Sequence, residues 1–385
     1  MGMENSVYMD HNATTAVRPE AREAVSLALA VTGNPSSVHG SGRTARRLVE
    51  DARDAVAALV GAQPASVVFT SGGTEANNLA LRGWPKRAKV LCSAVEHASV
   101  LSALDGIVEI PVDGDGVVDL DALEALLAEG EEGSALVSVM LANNETGVLQ
   151  PVADVAAVAH EHGALVHCDA IQAAGKMAID FGALSCDLMS LSAHKIGGPP
   201  GVGALVIAGG IADDWPLSPV LRGGGQERGR RAGTENVPGI AGFGAAARAA
   251  GEGLADFARL GGWRDRIENR LGGHAGSRVY GFGAPRLANT SCLTMPGVEA
   301  ETQVIQLDLA GVAVSAGAAC SSGKVEPSRV LAAMGASAEE AATAIRVSLG
   351  WNTTEDDVEK FAEAWIQVHG QANVQAGAHA GAYAA

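Results

Sequence analysis

The sequence predicts an α/β fold in which a mostly parallel sheet is covered by helices on both faces, followed by a smaller α+β domain. Continuous apolar runs of strand length recur through the first two-thirds of the chain, helical patterns separate them, and polar motifs sit directly after the runs. Unbroken apolar strands joined by helices indicate a sheet buried on both faces. The runs are "SVVFT" (66–70), "KVLCSA" (89–94), "ALVSVMLA" (135–142), "ALVHCDA" (164–170), "DLMSLS" (187–192) and "GALVIA" (203–208). "GGTEANNLALRGW" after the first run and "PVADVAAVAHEHG" before the fourth read as helices. A Gly-rich basic loop, "LRGGGQERGRRAGTEN" (221–236), closes this region, and helices around 237–258 and 263–271 lead into the second domain. That domain holds "ANTSCLTMPG", "AVSAGAACSSG" and "AIRVSLGWNTTEDDVEKFAEAW". The last stretch reads as a strand, a turn capped by Thr353 or Thr354, and a helix that starts acidic. The expected division is a large domain over 13–250 and a small domain over 1–12 and 251–368. The tail 369–385 is rich in Gly and Ala and is expected to be poorly ordered.

Composition narrows the function. A net charge of −17 repels nucleic-acid phosphates and anionic lipid, so neither is an expected partner. The start lacks a basic segment followed by an apolar one, and no apolar run is long enough to span a bilayer. "MGMENS" fits the degenerate myristoylation pattern, with nothing else pointing to an anchor. The cysteines Cys92, Cys168, Cys186, Cys292 and Cys320 are odd in number and scattered, without a C-x-x-C pair. That argues against a disulfide framework and for a reduced, cytoplasmic setting.

In open α/β sheets ligands gather at the carboxyl ends of the strands, where the informative polar residues fall. Lys195 follows an apolar strand in "SLSAHKIGGPPG" (190–201). A lysine there can form a Schiff base with a carbonyl or with pyridoxal phosphate (PLP); a surface lysine at a loop start is the other reading. Asp169 ends another strand. A buried carboxylate needs a partner, for which a protonated ring nitrogen serves, while N-capping of "AIQAAG" is the alternative. Gln172 lies one turn further on and can hydrogen-bond a ring hydroxyl. "TSGGTEANN" (70–78) brings Gly73 and Thr74 to a helix start, where backbone N–H groups bind phosphate. His97 in "VEHAS" can stack on an aromatic ring, or cap a helix. Cys92, Cys168, Cys186 and Cys292 read as buried thiols, whereas Cys320, in "SAGAACSSGK" (315–324), reads as an accessible thiol on a mobile loop.

Together these pieces resemble the class V aminotransferase group of fold-type I PLP-dependent transferases, and more narrowly the cysteine desulfurases of the iron–sulfur cluster and nitrogen-fixation type. The resemblance runs from "YMDHNATT" (8–15) to about Trp365 and is carried by "GNPSSVHGSGR" (33–43), "FTSGGTEANN", "VEHAS", "NNETGVLQP" (143–151), "HCDAIQAAGK" (167–176), "SAHKIGGPPG", "RRAGTEN" and "AACSSGKVEPSRVL", in that order. It implies a seven-stranded sheet and the conversion of L-cysteine to L-alanine, with sulfur carried as a persulfide on Cys320. Lys195 would hold PLP, Asp169 would pair with its ring nitrogen, Gln172 would contact the ring hydroxyl and His97 would stack on the ring. Thr74, Ser192 and His194, near Gly73, would bind the phosphate, with Thr234 contributed from the other subunit of a homodimer. Asn143 and Arg346 would hold cofactor and substrate, and Asn34 would line the substrate mouth. A sulfur-acceptor protein such as an iron–sulfur scaffold would be the partner.

Two rivals use the same residues: a selenocysteine lyase or other class V aminotransferase, and a non-catalytic PLP-binding sulfur-trafficking partner. A metal site is not expected. "DGDGVVDLDALE" (113–124) has Val118 where a calcium loop needs Gly, and reads instead as a turn followed by a capped helix. Strand alternation points Cys168 away from His167 and Asp169.

Overall fold

The apolar runs do form one sheet. The protein is described here by a computed structural model covering residues 6–84, 89–129, 135–209, 217–274, 276–317 and 328–382, with side chains through Gln371. The central sheet has seven strands, in the order Val67–Thr70, Gly203–Ile207, Leu188–Ser192, Leu165–Asp169, Ala135–Met140, Lys89–Ser93, Val108–Ile110. Gly203–Ile207 runs antiparallel to both neighbours, and the other pairings are parallel. Six of these strands are the predicted runs. The seventh, Val108–Ile110, is a three-residue edge strand that sequence reading misses.

Burial on both faces follows from the two-residue repeat of a strand. Val67 and Phe69 join one core while Val68 joins another, and Val137 and Leu136 divide in the same way. The first core is closed by helices Gly40–Leu59, Val152–Glu161 and Val237–Glu252; the second by Gly73–Arg82 and Ala98–Leu101. Helix Gly40–Leu59 shows why: Ala45, Val49, Ala52 and Val56 recur at steps of three and four and are buried as one stripe. Cys168 belongs to the first core, on the face opposite His167 and Asp169. Cys92, Cys168, Cys186 and Cys292 are all buried and unbridged.

A separate, third core surrounds a three-stranded antiparallel sheet, Ser315–Ala316, Ala344–Ser348 and Thr290–Thr294 in that order. Val7 and Met9 pack into it beside Val312, and Phe361 and Trp365 fill its centre. The last helix, Glu355–Ala382, opens on a reciprocal cap in which Asp357 N donates to Thr354 Oγ1 and Thr354 N donates to Asp357 Oδ2. Its backbone continues through the tail for which composition predicts disorder, and His369 is buried with its ring stacked on Trp365. Among the described residues no helix is long and apolar enough to cross a membrane.

His167, fully buried inside the central sheet, exchanges hydrogen bonds with the hydroxyls of Ser138 (2.8 Å) and Ser190 (2.9 Å). Burial pulls its pKa from 6.5 down to about 3. Below pH 6.5 the unfolded chain therefore binds a proton that the fold refuses, and stability is lost as pH falls through that window. Between pH 6.5 and 5 this costs about 2 kcal/mol. The stability advantage of the wild type over His167→Gln, measured by denaturant unfolding, shrinks by about that amount between pH 7 and pH 5. A difference that does not change with pH would mean that His167 is charged in the fold.

Candidate active site

Because six of the seven strands run in the same direction and end at the same edge, the residues that follow them converge. Met140 is level with Asp169, Asp169 with Ser190, and Ser192 with Gly203 and Thr70. Above this edge lies a cavity of about 340 Å³. It is large enough for a ring-sized ligand. Gly73, Thr74, His97, Asp169, Gln172, Ser192, His194, Lys195 and Arg346 all line it.

Asp169 is buried at the end of its strand. One carboxylate oxygen accepts from Asn77 Nδ2 at 2.7 Å and the other from the Ile171 amide at 2.9 Å. Burial pushes its pKa up, opposed by those two hydrogen bonds and by His97 and Lys195. A buried carboxylate held by two neutral donors suits a ligand that brings a positive N–H.

Lys195 ends the short 3₁₀ turn Ala193–Lys195, and its Nζ donates to the carbonyls of Asn12 (2.5 Å) and Ala13 (2.8 Å). His97 caps helix Ala98–Leu101: Nδ1 accepts from the Ser99 amide at 3.1 Å and is 2.8 Å from Ser99 Oγ. An amide only donates, so Nδ1 is an acceptor and the neutral ring carries its proton on Nε2. His97 thus caps this helix and also lines the cavity.

At the opposite wall, helix Gly73–Arg82 begins at Gly72 with no side-chain cap. Its first residues, Gly73 and Thr74, line the cavity together with Ser192 and His194, and the first amides of a helix have no partner within the helix itself. A Cβ at Gly73 would lie 2.3 Å from Ile171 Cδ1, so a larger residue there requires the Ile171 side chain to move. His194 is held to Thr14 Oγ1 at 3.2 Å, and burial with nearby Lys195 and Lys176 lowers its pKa to about 4, leaving a neutral ring.

Arg346 enters from the small-domain strand Ala344–Ser348. Nη2 donates to Asp10 Oδ1 at 2.8 Å and Nη1 to the Asn144 carbonyl at 3.2 Å, while the buried Nε has no partner among the described residues. Near it Glu145 accepts from Ser328 Oγ at 2.5 Å, and burial raises Glu145 to about 7 against the pull of Ser328, Arg346 and His97. Ser328 resumes the chain directly after 318–327, so Cys320 lies outside the described residues.

Three expected site residues are not brought to the cavity. Asn143 is a correction. Its carboxamide is consumed in the "NNETG" turn, where Oδ1 accepts from the amides of Glu145 (2.8 Å) and Thr146 (2.9 Å) and Nδ2 donates to the Val95 carbonyl. The neighbouring Asn144 lines the cavity instead. Asn34 is exposed and accepts from the Ser36 amide within its own turn, away from the cavity. Thr234 is exposed and also outside it. The basic loop before it is largely tied down: Glu227 grips Arg53 with both oxygens at 2.9 Å, and Arg231 pairs with Glu75 beside Thr74. Sequence reasoning assigned no role to Asn12, which lines the cavity and whose carbonyl receives Lys195. The signal was the polar run in "YMDHNATT" next to an apolar pair. Among the described residues no group of His, Cys, Asp and Glu could hold a metal ion. "DGDG" is a turn closed by Asp113 Oδ1 on the amides of Asp115 and Val117, and Asp119 caps the helix Leu120–Ala128 after it.

The class-V aminotransferase sequence pattern matches residues 7–361 of this chain. The chain belongs to the class-V aminotransferase family. Among relatives in this family, a cysteine desulfurase of Cereibacter sphaeroides is 46% identical over 372 residues, covering 93% of this chain and 94% of the relative. An IscS-like cysteine desulfurase of Mycobacterium tuberculosis is 42% identical over 375 residues, covering 92% and 94%. A solved class-V structure, a NifS-like protein from Rickettsia africae, superposes with a TM-score of 0.88 at 35% identity, over 94% of this chain and 99% of that one.

Proposed function

We propose that this chain is a PLP-dependent cysteine desulfurase, which converts L-cysteine to L-alanine and carries the sulfur as a persulfide on Cys320. The observation that carries the reading is the joining of Lys195, Asp169, His97 and an uncapped helix start around one cavity, in a chain whose relatives bear that name.

The residues present fit the cofactor. The amides at Gly73 and Thr74, with Ser192 and His194, suit its phosphate. Asp169, with only neutral hydrogen-bond donors, suits a protonated ring nitrogen. Gln172, also in the lining, would meet the ring hydroxyl, and Lys195 would offer the amine for the carbonyl. Bound there, PLP supplies an electron sink for charge that develops on the substrate α-carbon. Arg346, whose side chain lines the cavity, holds the substrate carboxylate through its guanidinium. Lys195 Nζ takes the α-proton and returns it, with His97 Nε2 at hand as a second proton carrier. The Cys320 thiolate attacks the substrate sulfur: a sulfur–sulfur bond forms, the carbon–sulfur bond breaks, and its electron pair stays on the carbon that becomes the alanine methyl group. The persulfide is then passed to an acceptor protein such as an iron–sulfur scaffold. We also propose a cytoplasmic homodimer, in which the exposed Thr234 completes the partner's phosphate site.

The test is turnover of L-cysteine by purified protein, wild type beside Cys320→Ser, with the visible spectrum, alanine and sulfide all recorded. The wild type is yellow and releases alanine and sulfide; Cys320→Ser keeps its colour and releases neither. A yellow wild type that leaves cysteine untouched overturns the substrate, and a mutant with full activity overturns Cys320 as acceptor.

A further inference from the structure

Lys176 is buried at 5% exposure, and its ammonium makes two hydrogen bonds, to Asn12 Oδ1 and Gln172 Oε1, both at 2.7 Å. No carboxylate is among these partners, and the nearest charges acting on it are the cations Lys195 and Arg346. Burial and that repulsion hold its pKa well below the usual lysine value. An unpaired buried ammonium is costly, so its position calls for an explanation. The backbone places it deliberately: Gly175 sits at φ +70, against Ala250 and Ile196, where a Cβ would come within 2.9 Å of both.

A lysine ammonium has donors and no acceptor. Gln172 must therefore turn Oε1 toward Lys176 and Nε2 toward the cavity, where Nε2 now donates to the Asn12 carbonyl at 2.9 Å. Asn12 is fixed by the same ammonium. Its Oδ1 takes Lys176 and Asn289 Nδ2, and its Nδ2 donates to Thr290 Oγ1 and the Asn144 carbonyl. The Asn12 carbonyl in turn receives Lys195 Nζ at 2.5 Å. One buried lysine Nζ thus sets two carboxamides that face the reactive lysine.

We propose that Lys176 is a positioning residue: it forces Gln172 to present an N–H to the ring oxygen of the bound cofactor and holds Asn12 as the seat of Lys195. This rests on the reading of the cavity as a PLP site. A filler of a polar slot would affect stability alone; a positioning residue must act through Gln172.

The experiment is a double-mutant cycle on PLP affinity and on the resting visible spectrum, using Lys176→Met, Gln172→Leu and the pair, each folded full-length and stripped of cofactor before titration with PLP. The expected result is that each single change raises the dissociation constant about tenfold, as loss of one hydrogen bond to a charged or oriented group does. The double mutant should also be about tenfold weaker, because the two changes remove one interaction. Both singles should move the absorption maximum in the same direction. Additive losses of about a hundredfold in the pair, or an unmoved maximum in Lys176→Met, would overturn the proposal. Where Lys176→Met does not fold, Lys176→Gln, which keeps a donor for Asn12 without the cation, goes through the same cycle with the same two outcomes. A wild type that takes up no PLP sinks the functional reading itself; a wild type that binds PLP with an additive cycle sinks this inference alone.

Discussion

Lys195→Ala loses the visible absorption band of the lysine-bound cofactor, and its cysteine turnover falls by at least about 10⁴-fold. The size of the effect follows from two roles carried by one nitrogen. In the proposed reading Lys195 Nζ is both the amine that joins the cofactor carbonyl and the base that takes the α-proton. Its aim is set by the strand Leu188–Ser192, the 3₁₀ turn behind it and the two carbonyls of Asn12 and Ala13. Alanine leaves the phosphate cradle and Asp169 intact, so the variant still binds PLP, and the cofactor becomes removable by dialysis. Comparing spectra before and after dialysis with turnover separates the outcomes. A band unchanged in Lys195→Ala would mean that another amine holds the cofactor, and Lys176 would be the first to test.

The sheet was legible because burial on both faces writes itself as unbroken apolar runs. The strand Val108–Ile110 was not: at three residues on the sheet edge, with Glu109 in its middle, it is too short to read as an apolar run even though Asp105-Gly106 and Pro111 bracket it. The site was legible where a side chain with distinctive chemistry follows a strand, as with Asp169, His97 and Lys195. It was not legible where geometry chooses between like neighbours. Asn143 and Asn144 are the same residue type, and only the fold of the turn decides which one it consumes. Asn12 acts largely through a backbone carbonyl, which every residue has. Lys176 and Arg53 were passed over because long charged side chains are presumed solvated; here both are buried, one on two carboxamides and the other on Glu227.

The other large effect belongs to Arg346. Arg346→Lys raises the KM for L-cysteine by roughly a hundredfold, leaves the resting spectrum in place, and lowers kcat much less. The guanidinium is only 3% exposed and already committed on two sides, Nη2 to Asp10 and Nη1 to the Asn144 carbonyl. Those contacts fix the plane of the fork, and the side chain lines the cavity. A carboxylate that reaches the guanidinium from the cavity meets donors whose direction is already set, so little freedom is lost on binding. Lysine keeps the charge but has no second planar donor, so it can hold Asp10 or the substrate and not both in register. Losing a charged hydrogen bond of about 3 kcal/mol gives the hundredfold change. Steady-state kinetics with L-cysteine measure it. If KM holds while kcat collapses, Arg346 serves the Glu145–Ser328 contact beside it rather than the substrate carboxylate.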